Sequence, residues 1–300
     1  MHNKAKFILF GFLALFGLGA VFLFQYSKFN DGKLHVVFCN VGQGDSIFIR
    51  TPSGTDILWD GGPDNSVLSC LSNNMPFWDR DIELMILSHP HADHLNGLIS
   101  VMERYNVLYF ATERLGNNTA GFKDLMKKVE SRKSRPKDDR PLAENIRNLY
   151  AGDKINLKDD VSIKILTPTK SFLEASSPNG MIYDTGEFSS LISLLSYGSF
   201  DVLLTGDSQT KELKDAISGE KTQIEVFHVP HHGSKTGLNS DLLYQITPQL
   251  ALISVGRKNK YGHPSKEVLS ILKEHKTRFL RTDEKGEIEI VSDGKKWWVR

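Results

Sequence analysis

Ser88-His89-Pro90-His91-Ala92-Asp93-His94 places three imidazoles and a carboxylate within six positions. Histidine is only 10 of 300 residues, and a packed core holding three neighbouring imidazoles would leave polar nitrogens without partners. A metal site satisfies them. His89 and His91, separated by Pro90, project together from an extended turn, whereas Asp93 and His94 enter a helix that follows at Leu95. Two pairs imply two ions. Nitrogen and oxygen donors without thiolates suit zinc, manganese or iron, and we expect two divalent ions, zinc or manganese. Ions about 3.5 to 4 Å apart share a hydroxide that is a nucleophile at neutral pH, so the chemistry expected is metal-dependent hydrolysis.

Other groups complete such a centre. Asp207, in Leu203-Leu204-Thr205-Gly206-Asp207, is the best bridging carboxylate, the alternative being an N-cap for a helix near Ser208. His231 and His232 offer one ligand and one substrate-contacting or supporting group. Asp60, before Gly61-Gly62, is suited to orient a ligand histidine by a hydrogen bond, or is a plain turn aspartate. His263, in Tyr261-Gly262-His263-Pro264, protonates a leaving group or holds a phosphate, or else is a capping or surface histidine. Asp93, His232 and His263 are thus the candidates for catalytic roles. His2, His35, His228 and His275 are expected to be structural or solvent-facing.

These residues need rigid elements. Strand-like runs at 34–41 and 45–51 flank the Gly42-Gln43-Gly44 turn. Four apolar runs then each end in a potential ligand: Asp60, His89, Asp207 and His231. Helical patterns fall at 95–106, 120–133, 211–218 and 266–276. Strands interleaved with helices predict a two-sheet core with helices on both outer faces. Lys123 to Arg147, rich in both signs, is expected as a solvated helix and loop, with a basic lip for a phosphate backbone as the alternative.

Composition is that of an ordinary globular chain, and a formal net charge of +1 neither proposes nor excludes nucleic acid. Cys39 and Cys70 form no metal-binding pattern and are expected as buried apolar fillers rather than a disulfide. Residues 7–24 form an uncharged apolar run of spanning length, expected as an uncleaved anchor rather than a signal peptide. Lys4 and Lys6 outweigh Lys28, which predicts a cytoplasmic amino end (1–6), a linker at 25–33 and an extracytoplasmic domain at 34–300, secreted if the segment is cleaved.

As an ordered set, VGQGDS (41–46), Asp60-Gly61-Gly62, SHPHADH (88–94), LLTGD (203–207), HHGS (231–234) and YGHPS (261–265) resemble the metallo-beta-lactamase superfamily. The similarity is greater still to the extracellular hydrolase domain of ComEC-type DNA-uptake competence proteins. The resemblance implies an αββα sandwich with the site at one edge. It implies His89 and His91 on one metal, Asp93 and His94 on the other, Asp207 bridging and His231 completing the shell, with DNA or another phosphodiester as substrate. The chain departs from the pattern in three ways. No histidine stands between His94 and His228, and Glu187-Phe188-Ser189-Ser190-Leu191 replaces an Asn-x-x-Ser-Leu pattern, which makes Glu187 and Ser190 the candidate supporting groups. Asn40 replaces a common aspartate, and one hydrophobic segment stands where ComEC-type proteins carry a multi-helix channel. The leading expectation is a membrane-anchored phosphodiesterase or nuclease. A lactone, lactam or thioester hydrolase and an inactive scaffold are the alternatives, and no protein partner is legible.

Overall fold

The computed structural model describes residues 2–131, 146–181, 189–220 and 223–300. The chain opens with helix α1 (His2–Phe29) and passes through β1 (Leu34–Phe38), β2 (Ile47–Arg50), β3 (Asp56–Trp59), α2 (Val67–Asn74), β4 (Asp81–Leu87) and α3 (Ala92–Arg104). It continues through β5 (Asn106–Thr112), α4 (Ala120–Ser131), β6 (Ile146–Asn148), β7 (Lys154–Asn156), β8 (Val161–Thr167), α5 (Lys170–Ser176), β9 (Ile192–Tyr197) and β10 (Phe200–Leu204). Next come α6 (Thr210–Ile217), β11 (Val226–His228), α7 (Ser240–Ile246), β12 (Leu250–Ile253) and α8 (Lys266–Glu274). The chain closes with β13 (Arg278–Arg281), α9 (Thr282–Lys285), β14 (Ile288–Ser292) and β15 (Trp297–Val299).

The first sheet has the order β15-β14-β1-β2-β3-β4-β5-β6 and the second β13-β12-β11-β10-β9-β8-β7. Each changes from antiparallel to parallel pairing at one strand, β3 in the first and β10 in the second. Parallel strands buried on both faces read as continuous apolar runs, as DILW, FDVLL and LALI do. Leu34, Ile57, Trp59, Ile86, Ile163, Val202, Val226 and Leu250 fill the space between the sheets. Each such side chain contributes roughly 1.5–3 kcal/mol when fully buried. The first sheet's outer face is covered by α2, α3 and α4, and the second's by α6, α7 and α8. This is the expected αββα sandwich.

Three local departures from expectation have physical causes. α3 starts at Ala92, three residues early, with His91 as its N-cap, so Asp93 and His94 occupy its first turn. Leu95, Leu98, Val101 and Met102 then recur on its buried face, and Asp93 lies at the partly positive helix end. β2 begins at Ile47 rather than 45, because Asp45 leaves the strand to donate its N–H to Asp93 O while its carbonyl accepts from Gly62 N. The stretch expected as linker is helical through Phe29.

Cys39 and Cys70 form a disulfide with a Cα–Cα distance of 5.7 Å, which corrects the expectation of two unpaired thiols. Both are buried as expected, but α2 packs on the outer face of the first sheet and brings Cys70 against the end of β1. A separation of 31 residues carries no sign of that contact. The charged segment after α4 lies mostly outside the described residues. On α4 itself, Leu125 and Val129 are buried while Lys123, Lys127 and Glu130 face solvent.

Candidate metal centre

The C-terminal ends of the parallel strands deliver the polar groups to one edge of the sandwich: Asp60 after β3, His89 after β4, Asp207 after β10 and His232 after β11. The loop at Asp60 lies directly on α3. Gly61 N–H donates to His94 O (2.7 Å) and Gly97 N–H to Gly62 O (3.0 Å). A methyl group on Gly97 would collide with the Gly61 carbonyl oxygen, so the residue type is dictated by backbone contact. Asp60, His231 and His232 hold left-handed φ values of 57°, 51° and 56°. That is a strained conformation for residues with a Cβ and a recurrent one at functional sites.

Three imidazoles use one ring nitrogen for a fixed partner and present the other. Asp60 accepts from Ser88 N–H (2.7 Å), from Ser88 Oγ–H (2.7 Å) and from His94 Nδ1–H (2.9 Å). The Ser88 hydroxyl has one proton and gives it to Asp60, so it accepts from His89 Nδ1–H at 3.0 Å. His232 Nδ1–H donates to Ser254 O at 3.0 Å. The Nε2 atoms of His89, His94 and His232 are left buried with no hydrogen-bond partner, as is Asp207 Oδ1. Buried polar atoms without partners are rare, and imidazoles oriented through Nδ1 with Nε2 bare are arranged as metal ligands are. The donor set therefore fits divalent ions.

Asp207 stands between two groups of donors. Its Oδ1 is 3.2 Å from His94 Nε2 and 3.5 Å from His232 Nε2, and its Oδ2 is 3.7 Å from both His89 Nε2 and His231 Nε2. Asp93, His94, Asp207 and His232 form one cluster of potential ligands, and His89, His91 and Asp207 a second. Asp93 Oδ2 lies 3.5 Å from His232 Nε2. His232 thus lies in the cluster with Asp93 and His94, while His231, the ligand implied by the sequence resemblance, stands on the opposite side of Asp207, facing its Oδ2. With both residues left-handed, the usual alternation of neighbouring side chains does not apply. His231 Nδ1 is 3.3 Å from the Gln209 amide nitrogen.

Burial alone would lower His94 and His232, but the carboxylates against them outweigh it and hold both well above the usual histidine range: Asp207 and Asp60 for His94, Asp207 and Asp45 for His232. His89 is held well below that range by burial and by the charge of His94. Burial would raise Asp93, yet the neighbouring His232 and the charge of His94 bring it down to about 2.

Ser190, expected as a supporting group, lies beside the cluster: its Oγ accepts from Asp207 N–H at 3.3 Å and lies 3.5 Å from His89 Nδ1. Glu187 lies outside the described residues. His263 is half-buried at the mouth, its ring 5.6 Å from His231 and stacked 5.9 Å from the exposed Tyr261. Sequence reasoning missed Asp45, while His228, expected to be structural or solvent-facing, is buried and reaches the Ser254 hydroxyl at 3.2 Å. Asp45 is fully buried, with Oδ1 3.3 Å from His232 Nδ1 and 3.5 Å from His228 Nε2. The usable signal was an aspartate between two turn glycines and a strand, which had been read as the strand's first residue.

A two-sheet sandwich with such a cluster at one edge is a metal-dependent hydrolase scaffold. A family model for the metallo-beta-lactamase superfamily matches residues 39–257, and the chain belongs to that superfamily. ComE operon protein 3 of Bacillus subtilis (strain 168) is 26% identical over 284 residues, covering 87% of this chain and 33% of that protein. Recombination protein 2 of Haemophilus influenzae is 27% identical over 255 residues, covering 84% and 28% respectively. The chain thus spans about a third of the length of the curated relatives it matches. The resemblance to ComEC-type competence proteins holds against these relatives. Among solved structures, the metallo-beta-lactamase fold protein YhfI of Bacillus subtilis superposes with a TM-score of 0.52 at 12% identity, covering 89% of this chain and 100% of that one.

Proposed function

We propose that this superfamily hydrolase is a membrane-anchored, binuclear phosphodiesterase, with a nucleic acid as substrate. The observation that carries the reading is the Asp207 carboxylate, with one oxygen toward His94 and His232 and the other toward His89. Asp93, His94, Asp207 and His232 would hold one ion, and His89, His91 and Asp207 the other, with His231 at its rim. Bound there, two divalent ions, zinc or manganese, supply Lewis acidity toward a phosphoryl oxygen and a water-derived nucleophile at neutral pH.

The chain's own groups do the rest. Asp60 and the Ser254 carbonyl fix the rings of His94 and His232, so that no reorientation is needed when substrate binds. His263, at the mouth, holds or delivers a proton where a leaving oxygen emerges. The loops that carry His232 and His263 also carry the exposed cations Lys235, Arg257, Lys258 and Lys260. These suit a phosphate backbone, and the exposed Tyr261 ring suits an unstacked base.

Support for the anchor comes from Lys6–Phe29, a helix of 24 residues long and apolar enough to cross a membrane, exposed along its apolar length. At 1.5 Å per residue it reaches about 36 Å, against a hydrocarbon core of about 30 Å. A disulfide suits an oxidising compartment, and Lys4 and Lys6 at the start of the helix favour a cytoplasmic amino end. The test is the full chain in detergent, loaded with manganese or zinc and assayed for metal content and for cleavage of single- and double-stranded DNA, RNA and an activated phosphodiester. Cleavage at two equivalents of metal supports the reading. Turnover of lactones or thioesters alone moves the activity to acyl transfer, and no metal uptake supports an inactive scaffold.

A further inference from the structure

We propose that the globular domain rests on the bilayer surface through the turn after α2, with Phe77 and Trp78 seated in the lipid interface beside α1. The proposal rests on the reading of α1 as a membrane anchor and adds to it a second point of contact.

The apolar helix does not end in a free tether. Lys28 Nζ donates to Asn73 O at the end of α2 (3.2 Å), and Arg50 Nε on β2 donates to Phe29 O (3.1 Å). The last turns of α1 therefore run along the domain. There Phe22 packs on Trp78 with ring centroids 4.7 Å apart, and Phe77 meets Trp78 edge-on at 4.8 Å. Phe77 is nonetheless 60% exposed and Trp78 39% exposed. Two adjacent aromatic side chains held at a turn and left to solvent are costly for a domain with a closed core, and they continue the apolar surface of α1.

Depth along the helix identifies the occupant. Lys28 marks the polar end of the apolar stretch, and Phe22 lies six residues earlier, about 9 Å toward the membrane at 1.5 Å per residue. Trp78, against Phe22, thus sits at the depth where Trp and other aromatic side chains gather at membrane–water boundaries. Tyr26, stacked on Phe22 and exposed, lies between the two levels. Lys28, exposed at the polar end of the span, sets a positive charge at headgroup height that suits anionic lipid, and in the turn itself Arg80 is balanced by Asp79 and Asp81. A lipid surface supplies both an apolar bed and an anionic rim on the same side as the span.

The experiment uses the full chain reconstituted into phosphatidylcholine–phosphatidylglycerol vesicles that contain lipids brominated near the headgroup end of the acyl chains. The chain has four tryptophans, so wild type is compared with Trp78→Phe. The expected result is quenched emission in wild type, with most of the quenching lost in Trp78→Phe at equal carbonate-resistant incorporation. Equal quenching in the two proteins overturns the docking while leaving the anchor intact. An unquenched Trp78 with cross-linking to a second copy also overturns it, in favour of a protein partner. Extraction of the protein by carbonate refutes the anchor, a failure visible before any fluorescence is read.

Discussion

The two donor clusters share Asp207 but are supported differently. Behind the His94–His232 cluster stand two buried carboxylates, Asp60 on His94 Nδ1 at 2.9 Å and Asp45 beside His232 Nδ1 at 3.3 Å. Behind His89, among the described residues, stand only hydroxyls, Ser88 at 3.0 Å and Ser190 at 3.5 Å, and His91 is half-buried at the surface. A carboxylate raises the basicity of the imidazole it orients, whereas a hydroxyl merely orients it. For the two ions proposed above, the contrast implies one held tightly and one held more loosely. It also implies that the missing histidine between His94 and His228 falls on the side already less supported.

The largest effect expected is from Asp207→Asn, which removes the group common to both clusters. Bound metal should fall from about two equivalents to less than one, and hydrolysis should drop by more than the roughly 10–100-fold that loss of an orienting partner costs. Elemental analysis beside an activity assay reads both, and retention of two equivalents would break the comparison at its root. Acidification comes next. His94 and His232 are raised by their carboxylates, so in the metal-free protein protons compete with the tighter ion up to a higher pH than with the looser one, because His89 is lowered. Lowering the pH should weaken the tight ion by up to about a hundredfold per unit, two protons being displaced, and narrow the gap between the sites. Chelator competition at a series of pH values measures it, and parallel slopes would count against the asymmetry.

Asp60→Asn should weaken the tighter ion by roughly 10–100-fold, with the looser one little changed in the same titration. Ser190→Ala should do the reverse on a smaller scale, less than about tenfold, confined to the ion at His89. If Ser190→Ala proves the more damaging, the ranking is inverted. The smallest effect concerns a group outside both clusters. Glu113, buried just after β5, is pushed up to about 8 by burial, the nearby Ser189 hydroxyl only partly opposing this and the charge of Glu212 adding to it. Its folded value lies above the unfolded one, so its contribution to stability is present below about 4.5 and is lost as pH rises through about 8. Glu113→Gln should therefore gain thermal stability over wild type between pH 5 and 8.5, without a change in metal stoichiometry.

Much of this was legible because chemistry and periodicity coincide. Apolar runs ending at Asp60, His89 and Asp207 identify strands whose tips meet, and the helical stretches with buried faces predict the outer layers. What stayed hidden depends on through-space contact. Asp45 looked like the first residue of a strand, since only its backbone bonds to Asp93 and Gly62 turn it under His232. His228 gains meaning only from Asp45. Cys39 and Cys70 are brought together by the docking of α2. The placement of His232 rather than His231 beside Asp93 and His94 follows from two consecutive left-handed residues, a conformation that residue type does not announce.

The contact between Gly61 and Gly97 makes one wall of the centre mechanically stiff. The loop bearing Asp60 and the helix bearing Asp93 and His94 touch backbone to backbone, leaving no compressible side chain between them. They can move only as one body. On the opposite wall the close contacts stand at the ends, Gly256 against the Gln43 backbone and Gly233 against Pro264, while the stretch between them from Arg257 to Gly262, which leads into His263, is largely exposed. Ligand geometry is thereby separated from substrate fit: the fixed wall acts as a gauge for the ions, and accommodation of differently shaped substrates falls to the His263 side.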